Sequence, residues 1–600
     1  MNDFNTFLFQ YLPPLSHTLG AAILLLSAFY GTGKLLLSTF PKEHLIAFGC
    51  GTALFMTVFS LLPANKCLLL SAALPFALWG IWKALGDIRK CPFPFFWGSL
   101  FFLFTLGSAL LLPYAWDEQT YQVAVPLRML QEKSFAPAGD NPYSFYPGLT
   151  AWFFANAVTL GGITLPRILV SAVTPFLLAG VWRMTKKHGI LPASLAVAAM
   201  LLSPCVLALN RGVYVENFIA LFTLTGFLGA WKLRKKQLWA PLVAGLLAGC
   251  AFAVKPTGAL GSFLLFSLFI FKIKEWKKLL LFCGTAFLFS VFWYLRTFLC
   301  TGSFFYPYAL SPLPGSVEHF HKLLGSARYG LDGSAGAFLN WLFAGFDKKL
   351  FDGIVTGIQL PVLTVCALAG AYLQQKKHRF FKPFFVILLT GTIVPLLLWS
   401  ILFPQSRFLL PLLPFAVAAG VTALAQSPWK NKLFCAFALL LLAAGASQSY
   451  PFLNHYIVSW RLSAKVRQMP AEALPFLTRD PGLFKSFEFL AASTPPEAKC
   501  LLLMERRGLY CPRRYTIAAP GFEPSLTPVP ENAEKLFEKL RPFDYIIVGS
   551  TTQDVDLQSV STNMCKQIVL QLNELLEKGK LQQLSCSGYP VLKVIRESNK

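Results

Sequence analysis

Long apolar stretches and short polar loops alternate along the first 450 residues of the chain. A helix needs about 20 apolar residues to cross the roughly 30 Å hydrocarbon core of a bilayer. Fourteen stretches reach or approach that length, which predicts a polytopic α-helical membrane protein with about fourteen transmembrane helices. The predicted spans are 15–37, 45–62, 67–86, 95–113, 166–184, 190–209, 215–232, 238–254, 258–272, 278–297, 355–373, 384–403, 407–425 and 432–448.

The pattern changes near Ser449, where charged residues become frequent and periods of 2 and 3.6 residues replace the continuous apolar runs. We expect the membrane part to end there and residues 450–600 to form a small extracytoplasmic α/β domain. Its predicted helices are 472–492, 532–541 and 563–579, and its predicted strands are 498–504, 544–549 and 588–596.

Two long loops interrupt the membrane part, at residues 114–165 and 298–354. In the first, Val123, Leu127 and Leu130 share one side of a short predicted helix, and a second helix is predicted over 148–160. We expect both helices to lie on the membrane surface. The second loop is rich in Gly, Pro and aromatic residues, which favours a mobile segment that covers a substrate; a disordered linker is the alternative.

Composition supports the membrane assignment, and the distribution of charge gives the orientation. Only 14% of the residues are charged, whereas about a quarter of a typical soluble chain is charged. Lys and Arg concentrate in alternate loops, which places those loops in the cytoplasm. Both termini, both long loops and the C-terminal domain are then extracytoplasmic. The net charge of +25 follows mostly from this loop pattern and gives no reason to expect a nucleic-acid partner.

Acidic residues are scarce in the membrane part, and three of them stand at predicted outer span ends. Asp117 and Glu118 follow the span at 95–113, and Glu216 lies at the start of the span at 215–232. A membrane protein keeps acids beside hydrocarbon where they pair, bind an ion or transfer protons. We therefore predict that all three are catalytic. The alternative is that each is only a first-turn acid, which the helix dipole favours.

The short outer loops otherwise avoid basic residues, and besides Lys66 they contain only Arg211, Lys255 and Arg407. Each of these three is expected to meet an anion, and a headgroup phosphate fits, since Arg binds phosphate bidentately and Lys as a point charge. With a carboxylate to accept a proton, such cations suit displacement at a sugar carbon by a hydroxyl, with a lipid-linked phosphate leaving. Alternatively, Arg211 only pairs with Glu216, and Lys255 and Arg407 only extend toward the membrane interface.

The order of these features resembles the GT-C superfamily of membrane glycosyltransferases. An acidic pair follows an early span, two short helices come next, and later outer loops carry an acid, a lysine and an Arg-Phe-Leu-Leu-Pro run. Within the superfamily, the chain is most similar to the protein O-mannosyltransferase and aminoarabinose transferase branch, including its uncharacterised bacterial members. The segments that carry this likeness are Trp116-Asp117-Glu118-Gln119-Thr120-Tyr121, with Pro126 after it, and Asn141-Pro142-Tyr143-Ser144-Phe145-Tyr146-Pro147.

The resemblance covers residues 95–425 and implies a GT-C-like core at 95–449, preceded by three additional helices within 1–94. It implies an inverting glycosyltransferase of a bacterial plasma membrane that uses a polyprenyl-phosphate sugar donor. Asp117 is then the catalytic base, Glu216 a second acid near the sugar or acceptor, and Lys255 and Arg407 ligands of the donor phosphate.

The chain also departs from the pattern of these families. Gln122 stands where the bacterial relatives often have His, and the Asp-x-Asp metal motif of the oligosaccharyltransferase branch is absent. No cofactor is therefore expected; a divalent metal is permitted but not required.

Acceptor, sugar and rival functions stay open at this point. The acceptor is a protein, a lipid or a glycan, and membrane lipids surround the chain. A transporter or flippase of lipid-linked glycans also needs many spans and phosphate-binding cations, but it predicts charges near the bilayer midplane. A third interpretation is a non-catalytic scaffold that presents residues 450–600.

Four cysteines lie in the predicted outer domain: Cys500, Cys511, Cys565 and Cys586. An oxidising compartment allows disulfides between them. Their spacing fits no zinc motif, and the sequence leaves their pairing open.

Overall fold

The computed structural model describes residues 3–40, 42–88, 92–134, 136–233, 238–304, 306, 357, 359, 361–367, 406–425, 431–478, 480–519, 529–549 and 558–596. Most of the second long loop, the predicted span at 384–403 and most of the predicted span at 355–373 lie outside the described residues.

The described residues form mainly α-helices. Those before the second long loop are α1 (Asp3–Phe9), α2 (Leu15–Leu36), α3 (His44–Ser60), α4 (Lys66–Ile88), α5 (Pro92–Ala109), α6 (Ala124–Glu132), α7 (Leu149–Gly161), α8 (Leu165–Thr185), α9 (Ile190–Leu201), α10 (Pro204–Asn210), α11 (Glu216–Lys232), α12 (Trp239–Val254), α13 (Ala259–Leu268) and α14 (Trp276–Thr301). Those after it are α15 (Leu413–Ala425), α16 (Asn431–Gln468), α17 (Pro470–Thr478), α18 (Pro481–Ser493), α19 (Ala533–Leu540) and α20 (Gln558–Glu577).

Several of these helices suit a membrane by length and composition. Within the described residues, five are long and apolar enough to cross one, namely α2, α4, α8, α14 and α16, and the bent pair of α9 and α10 makes a sixth if it is one span. Shorter apolar helices of 10–17 residues include α3, α12 and α15. These helices support a multi-pass membrane protein, while the number of fourteen spans stays a prediction.

The predicted span at 190–209 is broken rather than straight. α9 ends at Leu201 and α10 begins at Pro204, with a bend of 57° between them. Proline lacks a backbone N–H and its ring clashes with the carbonyl of the preceding turn, which explains the break. The short α10 then leads directly to Arg211.

Two of the three additional N-terminal helices touch backbone to backbone. A Cβ atom built on Gly31 of α2 would lie 1.9 Å from the Phe76 carbonyl oxygen, and one on Gly80 of α4 would lie 1.9 Å from the Ser27 carbonyl oxygen. Only glycine fits at such a contact, as in other closely packed membrane helices.

The first long loop folds as a helical layer at one end of the bundle. A π-helical turn at Glu118–Gln122 leads into α6, and a 3-10 turn at Pro142–Phe145 precedes α7. Both predicted helices are therefore present. In α7, Phe153 and Phe154 are fully buried and the helix packs against α2 and α3, while its position at the membrane surface stays a prediction.

The last helix of the bundle continues into the C-terminal part. α16 runs without a break from Asn431 to Gln468, so the predicted boundary near Ser449 falls inside a helix. Beyond that boundary Tyr456 is fully buried, and its hydroxyl donates to the Leu207 carbonyl at 2.6 Å. The helix therefore still packs on the bundle after the position where continuous apolar sequence ends.

The residues that follow α16 form an α/β unit. Its sheet has the order β2-β1-β3-β5-β4, in which β1 is parallel to β2 and β3, and β5 is antiparallel to β3 and β4. The strands are β1 (Lys499–Leu503), β2 (Arg514–Ala518), β3 (Tyr545–Val548), β4 (Leu581–Leu584) and β5 (Val591–Val594).

Two details of this unit differ from the sequence prediction. The helix predicted at 472–492 is two helices, because Asp480 caps α18 by accepting from Leu483 N at 3.4 Å and Pro481 occupies its first position. Strands β2 and β4 were not predicted. β4 is an edge strand with Gln582 and Gln583 exposed, so it lacks the apolar pattern by which strands are recognised.

The N-terminal helix α1 packs against α17 and α18. Phe4 and Leu8 are buried in this contact, and Asn5 Oδ1 accepts a hydrogen bond from Ala471 N at 2.9 Å. The N-terminus and the C-terminal domain therefore lie on the same side of the bundle. Which membrane face this side occupies stays a prediction.

Candidate active site

Predicted site residues from four separate parts of the chain come together at one end of the helix bundle. Asp117 follows α5, Glu216 begins α11, Lys255 follows α12, and Arg407 precedes α15. Their exposed fractions are 7%, 1%, 5% and 7%. Because up-and-down helices bring distant loops to a common end, charges that are far apart in sequence form one buried cluster.

Asp117 is held by a cation and a phenol. Its Oδ2 accepts hydrogen bonds from Arg407 Nη1 at 2.5 Å and from Tyr121 Oη at 3.0 Å, and its Oδ1 accepts none from the described residues. Burial raises the pKa of the Tyr121 phenol and the Asp117 charge adds to the rise, so the phenol stays protonated and donates. The carboxylate is thus fixed in orientation through one oxygen.

Glu118 has the opposite environment, because it is fully buried and accepts four hydrogen bonds. Oε2 accepts from the backbone N–H groups of Tyr114 and Ala115, both at 2.9 Å, and from Arg167 Nη1 at 3.1 Å. Oε1 accepts from Val213 N at 2.8 Å. These bonds tie the first long loop to α8 and to the loop before α11. They do not favour the predicted catalytic role of Glu118.

The sequence analysis did not single out Arg167, the partner of Glu118. Its side chain is 1% exposed, and Nη1 also donates to the Leu112 carbonyl at 2.9 Å. Nη2 donates to the Arg211 carbonyl, and the guanidinium lies 4.7 Å from the centre of the Tyr114 ring. The signal that could have identified Arg167 is a basic residue in the first turn of an apolar span. The predicted cations were only those of the short outer loops, and Arg167 lies outside these loops.

Glu216 and Lys255 form the second acid–base pair of the cluster. Lys255 Nζ donates to Glu216 Oε1 at 3.0 Å and lies 4.5 Å from the centre of the Phe408 ring. Glu216 Oε2 is buried and has no hydrogen-bond partner among the described residues. An unpaired buried carboxylate oxygen is costly, so this atom marks a place where a hydroxyl of a ligand would be stabilised.

Arg211 is the cation of the cluster that has no carboxylate partner among the described residues. Its Nε makes no hydrogen bond to the part of the chain that the structure describes, and its guanidinium lies 5.3 Å from the centre of the Phe452 ring. The alternative interpretation, in which Arg211 only pairs with Glu216, is not supported, because Glu216 pairs with Lys255. Cations therefore exceed acids by one in the cluster, which suits an anionic ligand. The cluster comprises Asp117, Glu118, Glu216, Arg167, Arg211, Lys255 and Arg407.

The acids of the cluster do not gather as a set of metal ligands. Among the described residues, no three His, Cys, Asp or Glu side chains lie close enough to hold one ion. Asp117 and Glu216 instead each face a cation.

Comparison with solved structures identifies the architecture. The chain matches ArnT from Cupriavidus metallidurans, in a crystal structure bound to undecaprenyl phosphate, with a TM-score of 0.52 over 84% of this chain and 98% of that chain. The chain has an ArnT-like fold. At 12% identity this likeness concerns the fold alone, and the predicted mostly helical chain with a small C-terminal sheet is confirmed. No family model and no curated protein matches the sequence.

Tyrosines lie on the Asp117 side of the candidate site. Tyr121 stacks on Tyr143 with 4.3 Å between ring centres, and the Tyr306 hydroxyl donates to the Pro142 carbonyl at 3.1 Å. Tyr121 and Tyr143 also line a small cavity of about 30 Å³ next to Lys255. That volume holds about one water molecule.

The C-terminal domain braces the loop that carries Asp117. Between β1 and β2, the Tyr510 hydroxyl donates to the Pro113 carbonyl at 2.7 Å, and Leu509 N donates to the Gln119 carbonyl at 3.2 Å. These contacts lie on either side of Asp117 in the sequence. The sequence left the role of this domain open, and the structure shows it in direct contact with the candidate site.

Asp140 makes a second connection between the first long loop and the C-terminal domain. Arg128 Nη1 donates to its two carboxylate oxygens at 2.6 and 2.8 Å, and Ile517 N of β2 donates to Oδ2 at 2.7 Å. Asp140 therefore links α6 to the sheet.

Proposed function

We propose that this protein is an inverting membrane glycosyltransferase that moves a sugar from a polyprenyl-phosphate carrier to an acceptor hydroxyl. The contact between Asp117 and Arg407 carries the proposal, because it joins a candidate base to a candidate phosphate ligand in one buried site. An ArnT-like fold supports it, since the matched ArnT holds undecaprenyl phosphate.

The proposed reaction is a single displacement. The acceptor oxygen attacks the anomeric carbon while its proton passes to Asp117 Oδ1, the oxygen that accepts no hydrogen bond from the described residues. The bond from the anomeric carbon to the phosphate oxygen breaks, and the electron pair leaves on the polyprenyl phosphate. Attack opposite the leaving group inverts the configuration.

Four further side chains have proposed roles in this step. Arg407 and Arg211 neutralise the charge that grows on the leaving phosphate, and Lys255 adds to this while it holds Glu216. Glu216 Oε2 accepts a hydrogen bond from a hydroxyl of the sugar or the acceptor, which supplies the donor that this oxygen lacks among the described residues. In this proposal Glu118 positions the loop and does not accept the proton.

The proposed location of the reaction follows from the loop charges. The positive-inside pattern places Asp117 on the extracytoplasmic face of a plasma membrane. The acceptor is then a protein, lipid or glycan exposed there, and the donor must already have its sugar on the outer leaflet.

A comparison of lipid-linked sugars in cells tests the proposal. Cells that carry Asp117→Asn should accumulate one polyprenyl-phosphate sugar, which mass spectrometry of extracted lipids would identify. Asp3→Asn is the matched control, because it makes the same chemical change at an exposed residue of α1, outside the site. An unchanged lipid pool in the Asp117→Asn cells would contradict the proposal.

The leaflet in which the donor accumulates separates a transferase from a flippase. A blocked transferase leaves the sugar on the outer leaflet, where a membrane-impermeant reagent that oxidises sugar diols destroys it in intact cells. A blocked flippase leaves it protected on the inner leaflet, and that result would favour the rival function.

A further inference from the structure

A second cavity lies at the other end of the bundle from the candidate active site. Its volume is about 440 Å³, within the range of roughly 300–1,000 Å³ that is usual for ligand pockets. Helices α2, α3, α4, α5 and α8 form its walls. α5 contributes Gly98 and Ser99 from its first half, whereas Asp117 follows the last residue of that helix.

The cavity is polar at one end only. Tyr30, His44 and Asp87 line that end, where Asp87 Oδ2 accepts from the Tyr30 hydroxyl at 2.6 Å. The same oxygen lies 3.0 Å from Lys34 Nζ and 3.0 Å from His44 Nδ1. This cluster places a lysine and a histidine beside the mouth of an otherwise apolar space.

The apolar part of the cavity is elongated along the helices. On α2 the lining runs from Ile23 to Tyr30, and on α8 it runs from Ala172 to Ala179. Each segment covers about two helical turns, or roughly 10 Å of rise. A hydrocarbon chain that lies parallel to the helices fits this shape, with its polar group at the Tyr30 end.

Cations outnumber acids around the polar end. Glu43 is the residue before His44. Its Oε2 lies 2.5 Å from Arg183 Nη2, and its Oε1 lies 3.5 Å from Lys232 Nζ. With Lys34 and Asp87, the ion pairs of the described residues at this end comprise three cations and two acids. All belong to the end of the bundle that the loop charges place in the cytoplasm.

We propose that this cavity binds an anionic phospholipid of the cytoplasmic leaflet. One acyl chain fills the apolar space, and the phosphate lies at the Lys34 and His44 end. Basic pockets between membrane helices on the cytoplasmic side bind anionic headgroups elsewhere.

The donor lipid of the proposed reaction is a different ligand. Its phosphate belongs near Asp117, whereas the phosphate of the lipid proposed here lies near the start of α5. That helix has 18 residues and is therefore about 27 Å long. Binding of the phospholipid in this cavity is consequently independent of the proposed glycosyl transfer.

Lipid titration followed by native mass spectrometry tests the site. The full-length protein, freed of lipid in detergent, is titrated with phosphatidylglycerol or with phosphatidylcholine of the same acyl chains. We expect one phosphatidylglycerol to bind at least ten-fold more tightly than phosphatidylcholine. Ala84→Phe, which fills the cavity, should weaken that binding at least ten-fold. Leu85→Phe is the matched control, since Leu85 is 61% exposed and does not line the cavity.

Two results would overturn the proposal. Undiminished phosphatidylglycerol binding by Ala84→Phe would show that the lipid binds elsewhere. Equal binding of the two lipids would show that the site does not select an anionic headgroup. If Ala84→Phe does not fold, the unaltered protein is cross-linked to phosphatidylglycerol with a photoreactive group in its acyl chain. Cross-links at residues 23–30 and 172–179 support the site, and their absence there contradicts it.

Discussion

Adjacent carboxylates at the start of the first long loop have opposite environments. Glu118 is surrounded by three backbone N–H donors and Arg167, whereas Asp117 accepts hydrogen bonds from the described residues at one oxygen only. A carboxylate that already accepts four hydrogen bonds would have to break some of them to accept a proton. In the proposed mechanism Glu118 therefore holds the loop and Asp117 faces the ligand.

Replacing Glu118 by Gln should therefore affect folding first. Gln would turn an amide toward backbone donors and leave Arg167 buried without a counter-charge. Breaking a buried ion pair by removal of one partner typically costs about 3–5 kcal/mol. Thermal unfolding of the purified variant should show this loss. If the Glu118→Gln protein is inactive but has normal stability, Glu118 instead has a catalytic role.

Arg211 offers a separate test of phosphate binding, because it has no carboxylate partner among the described residues. Arg211→Gln should weaken donor binding by about 1.5–3 kcal/mol, or roughly 10- to 100-fold, the usual range for a charge-assisted hydrogen bond. Stability should change little, since no acid is left unpaired.

Lys255→Gln is the contrasting variant. It leaves Glu216 buried without its cation, so both donor binding and melting temperature should fall. Binding of labelled donor lipid and melting curves measure the two effects. If Arg211→Gln binds the donor normally, Arg211 has no part in phosphate recognition.

Among the structural elements, the loop between β1 and β2 is the one that couples the C-terminal domain to the site. Burial raises the pKa of the Tyr510 phenol, so it stays protonated and donates to the Pro113 carbonyl. Tyr510→Phe removes this bond at a net cost of about 1 kcal/mol, which corresponds to about a five-fold effect. We expect kcat to fall by that factor with KM unchanged, because the loop orients Asp117 and does not bind the donor. An unchanged kcat would show that the loop does not position Asp117.

A candidate disulfide connects strand β1 to the same loop. Cys500 and Cys511 are buried free thiols in the structure, and a hydrogen bond between them, together with burial, raises the pKa of Cys500. In an oxidising compartment we expect them to form a disulfide, which would fix the loop that bears Tyr510. Peptide mapping without reductant should recover the linked pair. Two free thiols in protein purified from membranes would contradict this expectation.

The helices and the cationic residues were accessible to sequence analysis, because both depend on local pattern. Apolar length predicts spans, and Arg211, Lys255 and Arg407 stand out in loops that avoid basic residues. The hydrogen bonds of Glu118 could not be predicted from local pattern, because their donors Val213 and Arg167 are far from Glu118 in the sequence. Edge strand β4 was missed because exposed glutamines leave no apolar period.

At the scale of the whole molecule, the candidate site depends on contacts between both ends of the chain. α1 packs on α17 and α18, and the loop between β1 and β2 reaches the residues on either side of Asp117. One continuous hydrophobic core extends from Phe4 through the helix bundle to Val591. The C-terminal domain is consequently part of the architecture that orders the site.

The most direct test of the account separates donor binding from sugar transfer. Lipids extracted from Asp117→Asn cells supply the donor for proteoliposomes that contain either the unaltered protein or the variant. The account predicts that Asp117→Asn binds the donor with a Kd within about two-fold of normal but transfers the sugar 10²- to 10⁴-fold more slowly, the usual contribution of a general base. Transfer at the normal rate by Asp117→Asn would contradict the central role of Asp117.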